Sequence, residues 1–323
     1  MSRKKPPLLP SLLTTSMTLS ALVESKHEEA AQLIHRSLVS WYETHLRQGK
    51  RFGDDPKPFG LFPEMYAALD PGQAIAACDS SGALLGVCFA HPRETHWAVG
   101  IVAIAPEAAG RGIARAMLEE VLKRAQAEDK PVRLISSLLN LDSFSLYTRL
   151  GFTPHTMYQD MSINVPVGGL EHTPPPRAAG VRLALPGEAS RIADFEAALQ
   201  GIRREGDFRF FLNHTVGSWK VWVLEDDAGE LSGVLVSSHH PDWGMLGPGV
   251  TRDPESAIAL LWRALDARRG EASVVLVACV ESDVVRKLYQ WGARNIELHV
   301  AQSTNPVVAP KGIAFPTFLP ESA

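Results

Sequence analysis

A turn written Gly110-Arg111-Gly112, between the strand-like run "HWAVGIVAIA" and a helix-like run from Ile113, carries chemistry in its backbone. Glycines free the chain to curl inward, and the first N–H groups of the next helix have no intrahelical partner. With the helix dipole they form an anion site suited to a pyrophosphate. The pattern is neither G-x-G-x-x-G nor G-x-x-x-x-G-K-[ST], so it supports neither a dinucleotide fold nor a P-loop, and alone it also reads as a plain strand-to-helix turn. Further on, "NLDSFSLYTRLGF" sets Asn140 at the end of the strand-like "PVRLISS", where ligand crevices open, and Tyr147 on the following helix. His239-His240 with Asp242 could suggest a metal, but adjacent strand residues point to opposite faces, and no metal site is expected.

The elements that must position these residues follow from periodicity. "MTLSALV" predicts a strand, and "SKHEEAAQLIHRSLVSWYETHL" a long helix opened by Ser25. "FPEMYAAL" reads as a short helix, and Asp79-Ser80-Ser81-Gly82 as the turn of a hairpin. From Ile113, Ala116, Met117, Val121 and Leu122 share one helical face. Hairpins followed by strand–helix–strand units imply an α/β chain with a mixed sheet, antiparallel then parallel.

The second half repeats this grammar. "GVRLALP" and "EASRIADFEAALQGI" read as strand and helix, "KVWVLEDDAGELSGVLVSS" as a hairpin, and "AIALLWRALDARRG" as a helix. "ASVVLVACV" is a strand, and "SDVVRKLYQWGARNIELHV" a helix, turn and strand. "LYQWGAR" echoes "LYTRLGF", which suggests a duplication. The Trp222, Trp243, Trp262 and Trp291 set reads as core. The length of 323 residues suits about two domains of roughly 150 residues. The expected division is a flexible tail at 1–16, a first domain at 17–165, a Pro/Gly-rich linker at 166–180, a second domain at 181–303 and a tail at 304–323.

Together, "GIVAIAPEAAGRGIARAML" and "NLDSFSLYTRLGF" resemble the GNAT superfamily of acetyl-CoA-dependent N-acetyltransferases, well over Thr18 to Val165 and in outline beyond. The resemblance implies two tandem GNAT-like domains, each with a mixed, mostly antiparallel sheet flanked by helices. Its loop pattern [Q/R]-x-x-G-x-[G/A] is met only in part by Ala109, Gly110, Arg111, Gly112, Ile113 and Ala114. Ala109 stands where Gln or Arg is usual, which removes one side-chain contact but not the amides that would hold the CoA diphosphate. Backbone groups of Val102, Ala103 and Ile104 would pair with pantetheine like an added strand, and one would polarise the thioester carbonyl. Asn140 would contact the cofactor. Tyr147 would protonate the departing thiolate, a transfer that a phenol of pKa about 10 can make as the thioester collapses. For the general base, the family's usual carboxylate position falls on Ala98. His96 is a candidate, with period 2 placing it on one face with Ala98, Gly100, Val102 and Ile104; a water chain, with His96 a plain surface histidine, is the other reading, and Glu94 is a weaker alternative.

In the second copy, "GVTRDPESAIALL" has no glycine before the helix and brings Asp253 and Glu255 to the anion position. That copy is expected not to bind CoA. The expected function is transfer of an acyl group, acetyl by expectation, from CoA to the amine of a small molecule or peptide. A CoA-binding sensor without catalysis is the alternative. A net charge of −4 gives no reason to expect nucleic acid or a membrane surface as partner. A second copy of the chain, in a homodimer, stands as a candidate partner. Cys78, Cys88 and Cys279 form no C-x-x-C and read as buried free thiols in a reducing compartment. Arg3, Lys4 and Lys5 imitate a signal peptide, but Pro10 breaks the short apolar run, so a cytoplasmic location is expected.

Overall fold

Alternating apolar residues and glycine turns lay down thirteen strands and eight helices among the described residues, which are 17–213, 218–307 and 310–317 of this computed structural model. The tail expected at 1–16 lies outside them. The first half contains β1 (Thr18–Ala21), α1 (His27–Leu46), α2 (Leu61–Leu69), β2 (Ile75–Cys78), β3 (Leu84–Pro92), β4 (Trp97–Ile104), α3 (Ile113–Ala127), β5 (Val132–Ser137), α4 (Leu141–Arg149) and β6 (Thr153–Asn164). The second contains β7 (Arg182–Leu183), α5 (Ala189–Gln200), α6 (Glu205–Asn213), β8 (Trp219–Glu225), β9 (Leu231–Ser238), β10 (Met245–Thr251), α7 (Pro254–Asp266), β11 (Ala272–Ala278), α8 (Ser282–Gln290), β12 (Arg294–Ser303) and β13 (Ile313–Phe315). Ser25 does not open α1: a 3-10 turn, Glu24–Lys26, precedes it. The sequence reading held no helix at α6, whose Phe208, Phe210 and Phe211 are buried.

The mixed, mostly antiparallel sheet flanked by helices is present, and the two halves share it. Strand order is β1-β2-β3-β4-β5-β12-β6-β11-β10-β9-β8-β7, with β13 on β10. The halves therefore exchange their last strands. β12 sits between β5 and β6, pairing Ser137 with His299 and Asp160 with Glu297, while β6 runs along β11 from Tyr158 to Asn164.

Side chains also cross between halves. One apolar core joins Leu33, Met65 and Phe89 with Ala193, Phe208 and Val250. Trp243 packs edge-on to Phe59 and Phe62 and donates from Nε1 to the Pro58 carbonyl at 2.8 Å. Arg93, 6% exposed, bonds Asp70 through both Nη atoms at 2.7 and 3.0 Å and Asp207 of α6 through Nε at 2.8 Å. His91 Nδ1 lies 2.6 Å from Asp70 Oδ2, the oxygen that Arg93 Nη2 also reaches.

Candidate active site

β4 and β5 run parallel only where Trp97, Ala98 and Val99 face Val132, Arg133 and Leu134. Beyond Val99 no described strand pairs with that edge of β4. A bulge drives the strands apart: Cys88 faces Val102 and Ala90 faces Val99, so Gly100 and Ile101 together oppose Phe89. The result is a wedge open at the carboxyl ends, with the unpaired backbone of Val102, Ala103 and Ile104 on one wall.

The Gly110-Arg111-Gly112 turn stands at the end of that wall. Gly110 and Gly112 have φ of +75° and +80°, which L side chains rarely adopt, and Gly112 is the N-cap of α3. Gly110, Arg111 and Gly112 are exposed, and the first turn of α3 carries no acid, so the amides of Ile113, Ala114 and Arg115 present positive dipole to solvent. Ala109 is exposed and offers no polar contact.

Asn140 caps α4, its side-chain oxygen accepting from the Ser143 amide at 3.0 Å. Capping thus engages the side-chain oxygen and leaves the amide nitrogen for the expected cofactor contact. Tyr147, 9% exposed, packs edge-on to Phe152 at 5.9 Å. Its phenol lies within electrostatic reach of the Cys88 thiol on β3, and Cys88 faces Val102 across the ladder. Burial, reinforced by Cys88, pushes the phenol well above its ordinary value, so it stays protonated.

His96 does not join this group. It is 1% exposed and precedes β4, six residues or about 20 Å of extended chain from Val102. Burial, with Arg133, Arg204, Arg93 and Lys130 around it, holds its imidazole well below the ordinary value. The shared face expected from period 2 fails because the bulge slips the alternation at Gly100. Glu94 is engaged too, accepting from Arg203 at 3.1 Å and from the Glu205 amide at 2.9 Å.

α1 crosses the wedge. Arg36 meets Glu107 beyond β4 at 3.5 Å, His45 lies 3.9 Å from Asp142 beyond β5, and Tyr42 donates to Glu297 of β12 at 3.3 Å. Under α1 the structure gathers residues that the sequence reading did not single out: Ser137, Asp160, Glu297 and His299. The one signal was Glu297-x-His299, two residues apart on a strand and therefore on one face.

The second half repeats the wedge and fills it. β10 and β11 are parallel only at Met245–Val274 and Leu246–Val275, and β10 bulges between Leu246 and Gly249. Its free edge carries β13, which pairs Gly249 with Phe315, Val250 with Ala314 and Thr251 with Ile313. At the start of α7, Asp253 accepts from the Ser256 amide at 2.7 Å, and Pro254 offers no N–H. The chain's own groups thus occupy both features that the first half leaves open.

An acetyltransferase (GNAT) family model matches residues 36–152. A mycothiol acetyltransferase of Pseudarthrobacter chlorophenolicus is 37% identical over 92 residues, a match spanning 26% of this chain and 28% of that protein. A crystallised protein of Pyrococcus horikoshii, described as an acetyltransferase, shares the fold with a TM-score of 0.69 over 97% of this chain and 98% of its own, at 14% identity. A tandem GNAT protein from the clavulanic acid biosynthesis pathway gives 0.58 over 90% and 99%, also at 14%. At such identities the two structures speak for fold alone. The chain thus carries a GNAT-family match over residues 36–152, and over nearly its whole length it is similar in fold to these two proteins.

Proposed function

We propose that the chain is an acyl-CoA-dependent N-acyltransferase, acetyl-CoA being the donor, whose active site is the wedge of the first half. Three features support the reading: β4 leaves one edge without a partner strand beyond Val99, the glycine turn before α3 carries no acid, and the buried Tyr147 phenol lies within electrostatic reach of Cys88, which faces Val102. The amides of Ala109 to Ala114 would hold the diphosphate, and Val102, Ala103 and Ile104 would pair with pantetheine. One strand amide would receive the developing oxyanion. An amine attacks the thioester directly, and Tyr147 protonates the thiolate. Residues 17–165 would bear the site and 181–303 a non-catalytic copy, with 304–323 supplying the strand that blocks it. No described helix is long and apolar enough to cross a membrane. We place the protein in the cytoplasm and keep nucleic acid outside its partners.

Calorimetry with acetyl-CoA should give one site per chain. Gly112→Val should weaken it at least a hundredfold, because valine disfavours a φ of +80° although nothing lies within 4 Å of the added Cβ. Two sites per chain, or unchanged affinity in the variant, would remove this assignment. The absence of a carboxylate on β4 favours a second reading, in which CoA binds without transfer. Acetyl-CoA binding with no thiol release across a panel of amines would select it.

A further inference from the structure

Asp160, Glu297 and His299 place one ligand atom each within 4.8 Å of one another, and all three are buried. They share a face because Asp160 and Glu297 are paired across the ladder and Glu297 and His299 are two apart on β12. Ser137, at the carboxyl end of β5, pairs with His299, so the group adjoins the strand that bounds the cleft. Tyr42 from α1 and Arg51 from the turn after it close the other side.

The hydrogen bonds are unequally shared. Glu297 accepts from Tyr42 at 3.3 Å, from Arg51 at 3.0 Å, and lies 3.0 Å from His299 Nε2. Asp160, 6% exposed, has Oδ2 3.9 Å from His299 Nδ1, and its buried Oδ1 has no hydrogen-bond partner. A buried carboxylate oxygen without a donor is costly to hold. It leaves one strong acceptor, at the centre of the sheet, for a group that brings its own N–H.

We propose that this cluster, built by strands of both halves, binds the ammonium group of a primary-amine acceptor and that Asp160 takes its proton. The proposal rests on the acyltransferase reading. The ammonium N–H bond breaks and its proton moves to Asp160 Oδ1. The freed lone pair forms the C–N bond at the thioester carbonyl, and collapse breaks the C–S bond. The thiolate takes the Tyr147 proton, and the phenolate recovers one from the new amide nitrogen. Asp160 then releases its proton to water. Burial raises Asp160 to about 6, with Glu297 reinforcing and His299 and Arg51 opposing, which suits a base working near neutrality. A divalent cation fits less well, since Glu297 is already saturated and the Arg51 guanidinium stands beside it.

The test follows the Asp160 carboxyl by carbon NMR in the full-length, CoA-loaded protein. Saturating butylammonium chloride should lower its midpoint by about one unit, and potassium chloride of equal ionic strength should not. Equal midpoints in the two salts overturn the proposal. Asp160→Asn should keep the acetyl-CoA affinity and, having lost a buried charge whose Oδ1 has no hydrogen-bond partner, a melting temperature no lower than that of the parent at pH 7.5. With acetyl-CoA and butylamine its thiol release should fall tenfold or more at pH 7, and the acid limb near pH 6 should vanish. A retained limb sinks the idea. So does thiol release that EDTA abolishes and zinc or manganese restores, which would make the trio a cation site. Failure of the acyltransferase reading looks different: no acetyl-CoA binding, with the amine-induced NMR shift intact.

Discussion

Replacing Tyr147 with phenylalanine should cut thiol release from acetyl-CoA by about a hundred- to ten-thousand-fold, the span typical of a positioned general acid. Acetyl-CoA affinity should hold within about twofold, because the substitution removes one oxygen and leaves the ring against Phe152. The pH profile sharpens the test. Burial keeps the phenol protonated across the neutral range, so Tyr147 should contribute no alkaline limb below about pH 10. Steady-state rates with a reactive amine, set beside calorimetry of acetyl-CoA, separate the two effects. Unchanged turnover would take the phenol out of the mechanism.

Arg93→Met should cost about 3–5 kcal/mol of stability, because it leaves the buried Asp207 carboxylate without its guanidinium and the half-buried Asp70 with His91 in place of the pair it now has. Neutralising the two carboxylates as well, in Asp70→Asn/Arg93→Met/Asp207→Asn, should recover most of that loss, since the penalty lies in poorly compensated charge rather than lost shape. Calorimetric melting of the three proteins at pH 7 reads both effects, and a single variant as stable as the parent would contradict them. The link also has a pH signature. Burial pushes Asp70 up, but His91 and Arg93 pull harder, and its carboxyl ends below the ordinary value. The stabilisation it brings is complete above about pH 4 and fades as the pH falls through the lowered value.

Legibility in the sequence tracked how local each feature is. Gly110 and Gly112 could be read because a tight left-handed turn before a helix demands glycine within three positions. Tyr147 was named through the family resemblance of "NLDSFSLYTRLGF", and the structure buries it on α4. His96 was misplaced by the Gly100–Ile101 bulge, a defect that depends on how β4 meets β3 and has no counterpart in the alternation itself. The partners of β6 and β12 were illegible for another reason: either strand suits either slot, and the choice is made by tertiary packing. Asp160 and Glu297 lie far apart in the chain, so no spacing rule could unite them. The tail segment "GIAF" gave no sign of β13, since an edge strand this short takes its conformation from β10.

The exchanged strands set a timetable. Ser137 waits for His299, about 160 residues downstream, and at 5–20 residues per second a ribosome needs roughly 10–30 s to deliver it. Until then a nascent N-terminal half carries a gap where β12 belongs, with bare strand edges on both sides. The newborn chain would lean on chaperones throughout that interval, and a messenger truncated at the linker would yield a product that could not complete its own sheet.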